Sequence, residues 1–198
     1  PGDLLVGGKI LGNGQWTVKT GVNRSIIQGE DLEIVVQDTF EHHPEGALQG
    51  TTRLAFSGAG HLDLRGTSLS EDTLLLNPKT LETGGKITAP HLTVGEDVTR
   101  WVNGERGEIE VGTLSFPGQV TQARNEGQIS AQTLSMTGGE LKNDASLTVK
   151  DWILGAGRLL NQRDGTLTFQ EWVSLPLNSF MNEGEVLFKK GFRFEGPH

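Results

Sequence analysis

Leu141-Lys142-Asn143-Asp144-Ala145-Ser146-Leu147-Thr148-Val149 is the stretch that decides how this chain folds. It joins Leu-x-Asn to Leu-x-Val through a short polar turn. Apolar-x-apolar alternation is the period of a strand, and each piece is too short for a helix. The unit returns along the chain. Ile87, Ile109, Ile129, Leu147, Leu167 and Val186 each open an apolar-x-apolar piece, at steps of 22, 20, 18, 20 and 19 residues. A glycine stands just before most of them, and Ala145 takes its place once. A second piece follows each: Leu92-Thr93-Val94, Leu114-Ser115-Phe116, Leu134-Ser135-Met136, Trp152-Ile153-Leu154, Trp172-Val173 and, slipped by one, Phe192-Arg193-Phe194. A third apolar residue comes two places before Asn103, Asn125, Asn143, Asn161 and Asn182, with Thr83 in the asparagine position of the earliest copy.

Three short strands in every twenty or so residues make one coil of a solenoid. Equivalent strands of successive coils then pair in parallel at about 4.8 Å, and inward side chains stack on their counterparts. The expected fold is therefore all-β, a right-handed parallel β-helix with coils of about 20 residues; the hand comes from the usual sense of parallel crossovers. Leucine-rich repeats share the period, but their L-x-x-L-x-L-x-x-N pattern does not occur here. The asparagines sit at one turn of each coil, so Asn103, Asn125, Asn143, Asn161 and Asn182 are expected to form a structural column.

Residues 85–198 carry the regular repeats, and residues 1–84 read as less regular coils of the same continuous solenoid. Gly14-Gln15-Trp16-Thr17-Val18, Gly29-Glu30-Asp31-Leu32-Glu33-Ile34 and Gly60-His61-Leu62-Asp63-Leu64 fit the start of the repeat. Residues 37–49 break the pattern and read as a loop inserted on a coil. Thr67 to Thr80 reads as a second longer turn. Trp16, Trp101, Trp152 and Trp172 fall in apolar positions of the repeat and are expected to pack in the core or cover a coil end.

Composition removes several classes of function. The chain has 198 residues, 28 of them Gly, no Cys, and a net charge of −8. Without cysteine there is no disulfide framework, zinc–thiolate site or cysteine nucleophile. The negative charge argues against nucleic acid as a partner, and no apolar run is long enough for membrane insertion. Pro1-Gly2-Asp3 carries neither an initiator Met nor a basic leader, and the chain reads as a processed product or a piece of a longer one.

Catalytic chemistry finds little support. A glycan-cleaving β-helix needs carboxylates from neighbouring coils on one outer face, as an acid/base pair or as calcium ligands. The outward residues of the first strand are Thr88, Glu110, Ser130, Thr148, Thr168 and Leu187; those of the second are Thr93, Ser115, Ser135, Ile153, Val173 and Arg193. Carboxylates stack on neither face, and Glu110 and Asp63 each stand alone. His42-His43 reads as a solvated loop and not a metal site, because adjacent residues of an extended chain point to opposite sides. No G-x-S-x-G elbow occurs. Gly7-Gly8, Gly12-Asn13-Gly14 and Gly138-Gly139 read as turns. Asn23-Arg24-Ser25 matches the glycosylation tripeptide, which common chance also produces. The expectation is no enzyme, no catalytic or metal residues and no cofactor. Ile153, Val173 and Leu187 occupy nominally outward positions and could form an apolar contact patch.

From Gly85 onward, the units Leu-x-Asn-x-x-x-Leu-x-Val followed by a second short strand resemble the haemagglutinin-type repeats of filamentous haemagglutinins and contact-dependent inhibition effectors, the exoproteins of two-partner secretion. About 110 residues are covered well, residues 1–84 only loosely, and the family's secretion-domain Asn-Pro-Asn-Gly motif is missing. The resemblance implies a secreted or cell-surface bacterial location, an outer-membrane secretion pore as export partner and a host or target-cell receptor or glycan as ligand. It also implies a role as an adhesin or as a rod for toxin delivery, in virulence. Two alternatives come from other classes: a carbohydrate-active β-helix (polysaccharide lyase or glycosidase), and a cytosolic β-helical scaffold whose ends stack.

Overall fold

The computed structural model describes residues 2–118, 120, 122–155, 157–175 and 179–194; the side chains at 152–154, 172–175 and 192–194 lie outside the description. All regular structure in it is β, and the strands stack in parallel as a solenoid of about 9 turns with coils roughly 20 residues apart.

Each coil presents three faces, here A, B and C in chain order. Face A is followed by the pairing Ile10, Ile27, Leu48, Ser68, Ile87, Ile109, Ile129, Leu147, Leu167 and Val186. Face B carries Leu32, Leu54, Leu74, Leu92, Leu114 and Leu134 in one inward column. Face C carries Gly21, Phe40, Leu62, Leu81, Trp101, Ala123, Leu141, Leu159 and Phe180. Alternation turns every second residue of a strand into this interior, and most of these side chains are fully buried.

Stacking is not uniform, because volumes must balance within each coil. The second inward position of face A runs Gly29, Gly50, Ser70, Ala89, Val111, Ala131, Val149, Phe169 and Phe188, from small to large along the axis. The coils with the small residues carry the large rings of Phe40 and Phe56, whose centroids are 5.6 Å apart. A Cβ on Gly21 would collide with the Phe40 ring in the next coil. Further down, Trp101 lies 5.3 Å from Phe116 and above the small Ala123. Two buried polar atoms among the described residues have no partner, Ser68 Oγ and Trp101 Nε1.

Residues 37–49 are not an insertion. Thr39–His42 pair with His61–Leu64, and Ala47–Gly50 pair with Ile26–Gly29, so only His43–Gly46 form a turn. Residues 67–80 are not a long turn either, since Thr67–Ser70 and Thr73–Thr83 are strands. The coils of the N-terminal half lack the Gly-Asn punctuation of the C-terminal half. Ile26–His42 and Ala47–Leu64 each pass through all three faces as one strand. The three glycine-led segments in residues 1–84 also fall elsewhere than at the repeat start. Trp16 and Leu32 belong to face B, and Leu62 belongs to face C.

Candidate functional site

The asparagine column is a run of buried polar side chains inside the coils. Asn103, Asn125, Asn143 and Asn161 are buried, and Asn182 closes the series at an exposed edge. Each side-chain Nδ2 donates to the Oδ1 of the next coil: Asn103 to Asn125 at 2.8 Å, Asn125 to Asn143 at 2.7 Å, Asn143 to Asn161 at 2.7 Å and Asn161 to Asn182 at 2.8 Å. Thr83 starts the run, its hydroxyl donating to Asn103 Oδ1 at 3.0 Å. The second amide hydrogen goes to turn carbonyls, such as Ser146 O at 3.0 Å from Asn125. The glycine of the repeat belongs to this device. A Cβ on Gly107 would overlap Asn103 Oδ1, and one on Gly165 would sit 2.5 Å from Asn161 Oδ1.

The same column extends upward to residues that sequence reading missed. Asn23, His42 and Leu64 occupy it in the coils before Thr83. His42 is buried and not in a solvated loop, and both its ring nitrogens have partners. No group of three metal-ligating side chains occurs among the described residues. The signal was available: stepping back by about one coil from Thr83 lands on Leu64, His42 and Asn23.

The turn after the column, between faces C and A, varies in length, and this builds a cleft. His43–Gly46 and Gly104–Gly107 are four-residue turns, while Arg65-Gly66 and Gly84-Gly85 between them have two. The long turns overhang the short ones, three coil steps apart, or about 14 Å. The resulting hollow holds about 500 Å³, with Pro44 on one wall, Glu105 and Arg106 on the other, and Gly84 and Val102 in the floor.

Two of its carboxylates, Asp63 and Glu82, come from the outward column of face C. That column reads Leu5, Val22, Glu41, Asp63, Glu82, Val102, Arg124, Lys142, Leu160 and Met181. Carboxylates therefore do stack, on the third face, contrary to the expectation drawn from the first two. Asp63 is 5 % exposed and pairs with Arg65 at 2.5 Å. Glu82 pairs with Arg100 at 3.3 Å. The Asp63 carboxylate raises the pKa of the Arg65 guanidinium, through its hydrogen bond first and its charge second. A second hollow of about 270 Å³ shares Arg100 and continues past Gln122 to Arg124, Glu140 and Lys142. Face C thus carries a groove that is acidic toward the N-terminal coils and basic toward the C-terminal ones.

Glu110 does not belong to this groove. It is exposed on face A between Thr88 and Ser130, so it and Asp63 lie on different faces. Of the expected apolar patch, Leu187 alone has a described side chain. Leu187 is 42 % exposed on face A beside Thr168, whereas Ile153 and Val173 belong to face B. A β-bulge between Ala131 and Thr133 shifts the register, so Ile153 pairs with the inward Leu134 instead of the outward Ser135. The side chains of Ile153 and Val173, like those of Trp152 and Trp172, lie outside the described residues. Trp101 is fully buried, and Trp16 packs partly buried against the core.

Compared with known proteins, the chain matches no family model, no curated protein and no solved structure.

Proposed function

We propose that this chain is a non-enzymatic β-solenoid segment of a large secreted or cell-surface bacterial exoprotein. It acts as a rod that carries an adhesive or toxin-delivering element, and the face-C groove is its contact surface for a receptor or glycan. One observation carries the reading: the coils are bonded to each other along the axis, through the backbone ladder and through an unbroken chain of side-chain amides. That arrangement invests the sequence in axial rigidity. The groove fits the same role, because its two central carboxylates are each held by an arginine. The likeness of the repeats to haemagglutinin-type repeats supports export through an outer-membrane pore.

A second reading, a carbohydrate-active β-helix, is favoured by one feature. Asp63 and Glu82 stand at equivalent positions of adjacent coils in the cleft. Strand spacing of about 4.8 Å is near the separation of about 5–5.5 Å between the carboxyls of retaining glycosidases. One pair of assays separates the two. Binding to a panel of acidic and neutral glycans without turnover, weakened by Arg106→Ala, is expected for the rod. Depolymerisation that disappears in both Asp63→Asn and Glu82→Gln would replace it with the enzyme.

A further inference from the structure

We propose that His42 is an acid-released joint in the solenoid: its neutral imidazole ties the coil of Asn23 to the coil of Thr67, and protonation loosens the chain between these two points while the asparagine run stays closed. The hydrogen bonds allow one form of the ring. Asn23 Oδ1 accepts the N–H of Ser25 at 3.1 Å, which turns the Asn23 Nδ2 toward His42 Nδ1 at 3.2 Å. An amide nitrogen only donates, so Nδ1 must accept and carries no proton. His42 Nε2 lies 3.0 Å from the carbonyl oxygen of Thr67, which only accepts, so Nε2 carries the hydrogen. A second proton on Nδ1 would set two donors face to face.

The ring has no room to escape that conflict. His42 is 1 % exposed. Gly46 and Gly66 enclose it so closely that a Cβ on the first would lie 2.7 Å from Cε1, and one on the second 2.5 Å from Nε2. The surrounding charges are these: Glu41 on its own strand, His43 and Glu45 in the turn that follows, Arg24 in the turn above, and Asp63 with its partner Arg65 in the coil below. His43 is itself within 3.6 Å of Glu41 and 3.8 Å of Glu45. Burial lowers the pKa of His42, and the charge of His43 adds to this. The Thr67 and Asn23 carbonyls and the Asp63 carboxylate pull the other way without overcoming it.

An unfolded histidine takes its proton near pH 6.5, whereas the buried ring resists until lower pH. Protons therefore bind the opened chain in preference. The stability His42 contributes is complete above about pH 6.5 and falls as the pH drops below that value. The asparagines below it do not titrate, so the loss is local. It reaches the cleft, because the His42 carbonyl accepts the N–H groups of Arg65 at 2.8 Å and Gly66 at 3.1 Å, and Pro44 sits in the next turn.

The test is amide hydrogen exchange on the full chain at about pH 7.5 and about pH 5, with intrinsic rates corrected. The joint predicts lost protection confined to residues 20–67, no change across residues 103–161, and retained protection at low pH in His42→Asn, which places an amide in the slot. Loss spread evenly over the chain, or equal loss in His42→Asn, overturns it. Should that variant fail to fold, imidazole nitrogen spectra of the wild-type chain decide. A ring held as the Nε2–H tautomer until residues 20–67 lose protection supports the joint. A ring that titrates while those amides remain protected overturns it.

Discussion

From Thr83 to Asn182 the inward polar position of face C passes one hydrogen bond from coil to coil, whereas in the three coils above it holds Asn23, His42 and Leu64 in turn. The two regions use the same slot of the same turn. In the lower one, identical amides each donate to the next and accept from the last, so every coil solves its neighbour's burial problem. In the upper one, no such chain is possible, because Leu64 neither donates nor accepts. His42 must reach past it to the Thr67 carbonyl. A repeated side chain thus yields an axial bond that does not depend on pH, and a mixed column yields a local one that does.

The sharpest way to break the lower region is Asn143→Ala. It leaves the Nδ2 of Asn125 and the Oδ1 of Asn161 each without an axial partner in a dry core. The expected loss is about 2–4 kcal/mol, read as a fall in denaturation midpoint. Asn178, whose structure is outside the described residues, lies off the repeat register, and Asn178→Ala should cost well under 1 kcal/mol.

A reciprocal pair sharpens the contrast. Asn143→Leu interrupts the run and is expected to cost about 3 kcal/mol. Leu64→Asn places an amide between His42 and Thr83, offsetting part of the lost apolar burial, and is expected to cost less than about 2 kcal/mol. Equal costs in thermal melts would mean that the column contributes no more than its packing.

Gly107→Ala should cost about 1–3 kcal/mol, since the new methyl must displace the Asn103 amide or the turn. The smallest effect belongs to the groove. Arg100→Ala removes the partner of Glu82, and both side chains are nearly half exposed, so stability should change by less than about 1 kcal/mol. The change should shrink further when salt is added to the melt.

Much of the fold was legible in residues 85–198. There the asparagine, the glycine and the alternation recur together, and each marks the same point of the coil. The register could be read from Leu141-Lys142-Asn143 alone. Residues 1–84 were harder because the punctuation is gone. Ser68 stands where the repeat has Ile or Leu, Leu64 where it has Asn, and Gly29 and Gly50 where it later has Val or Phe. The β-bulge that moved Ile153 onto Leu134 was equally hidden, since one extra residue leaves the apolar pattern readable in either phase.

The sequence by itself determined the solenoid, its period and the amide column, because short-range periodicity acts identically in every coil and needs no knowledge of what lies opposite. The tertiary structure alone decided the site. Asp63, Glu82, Arg100 and Arg106 are dispersed along the chain and share no motif. They converge because two-residue turns lie between four-residue ones, and stacking at about 4.8 Å converts that difference in turn length into a cleft.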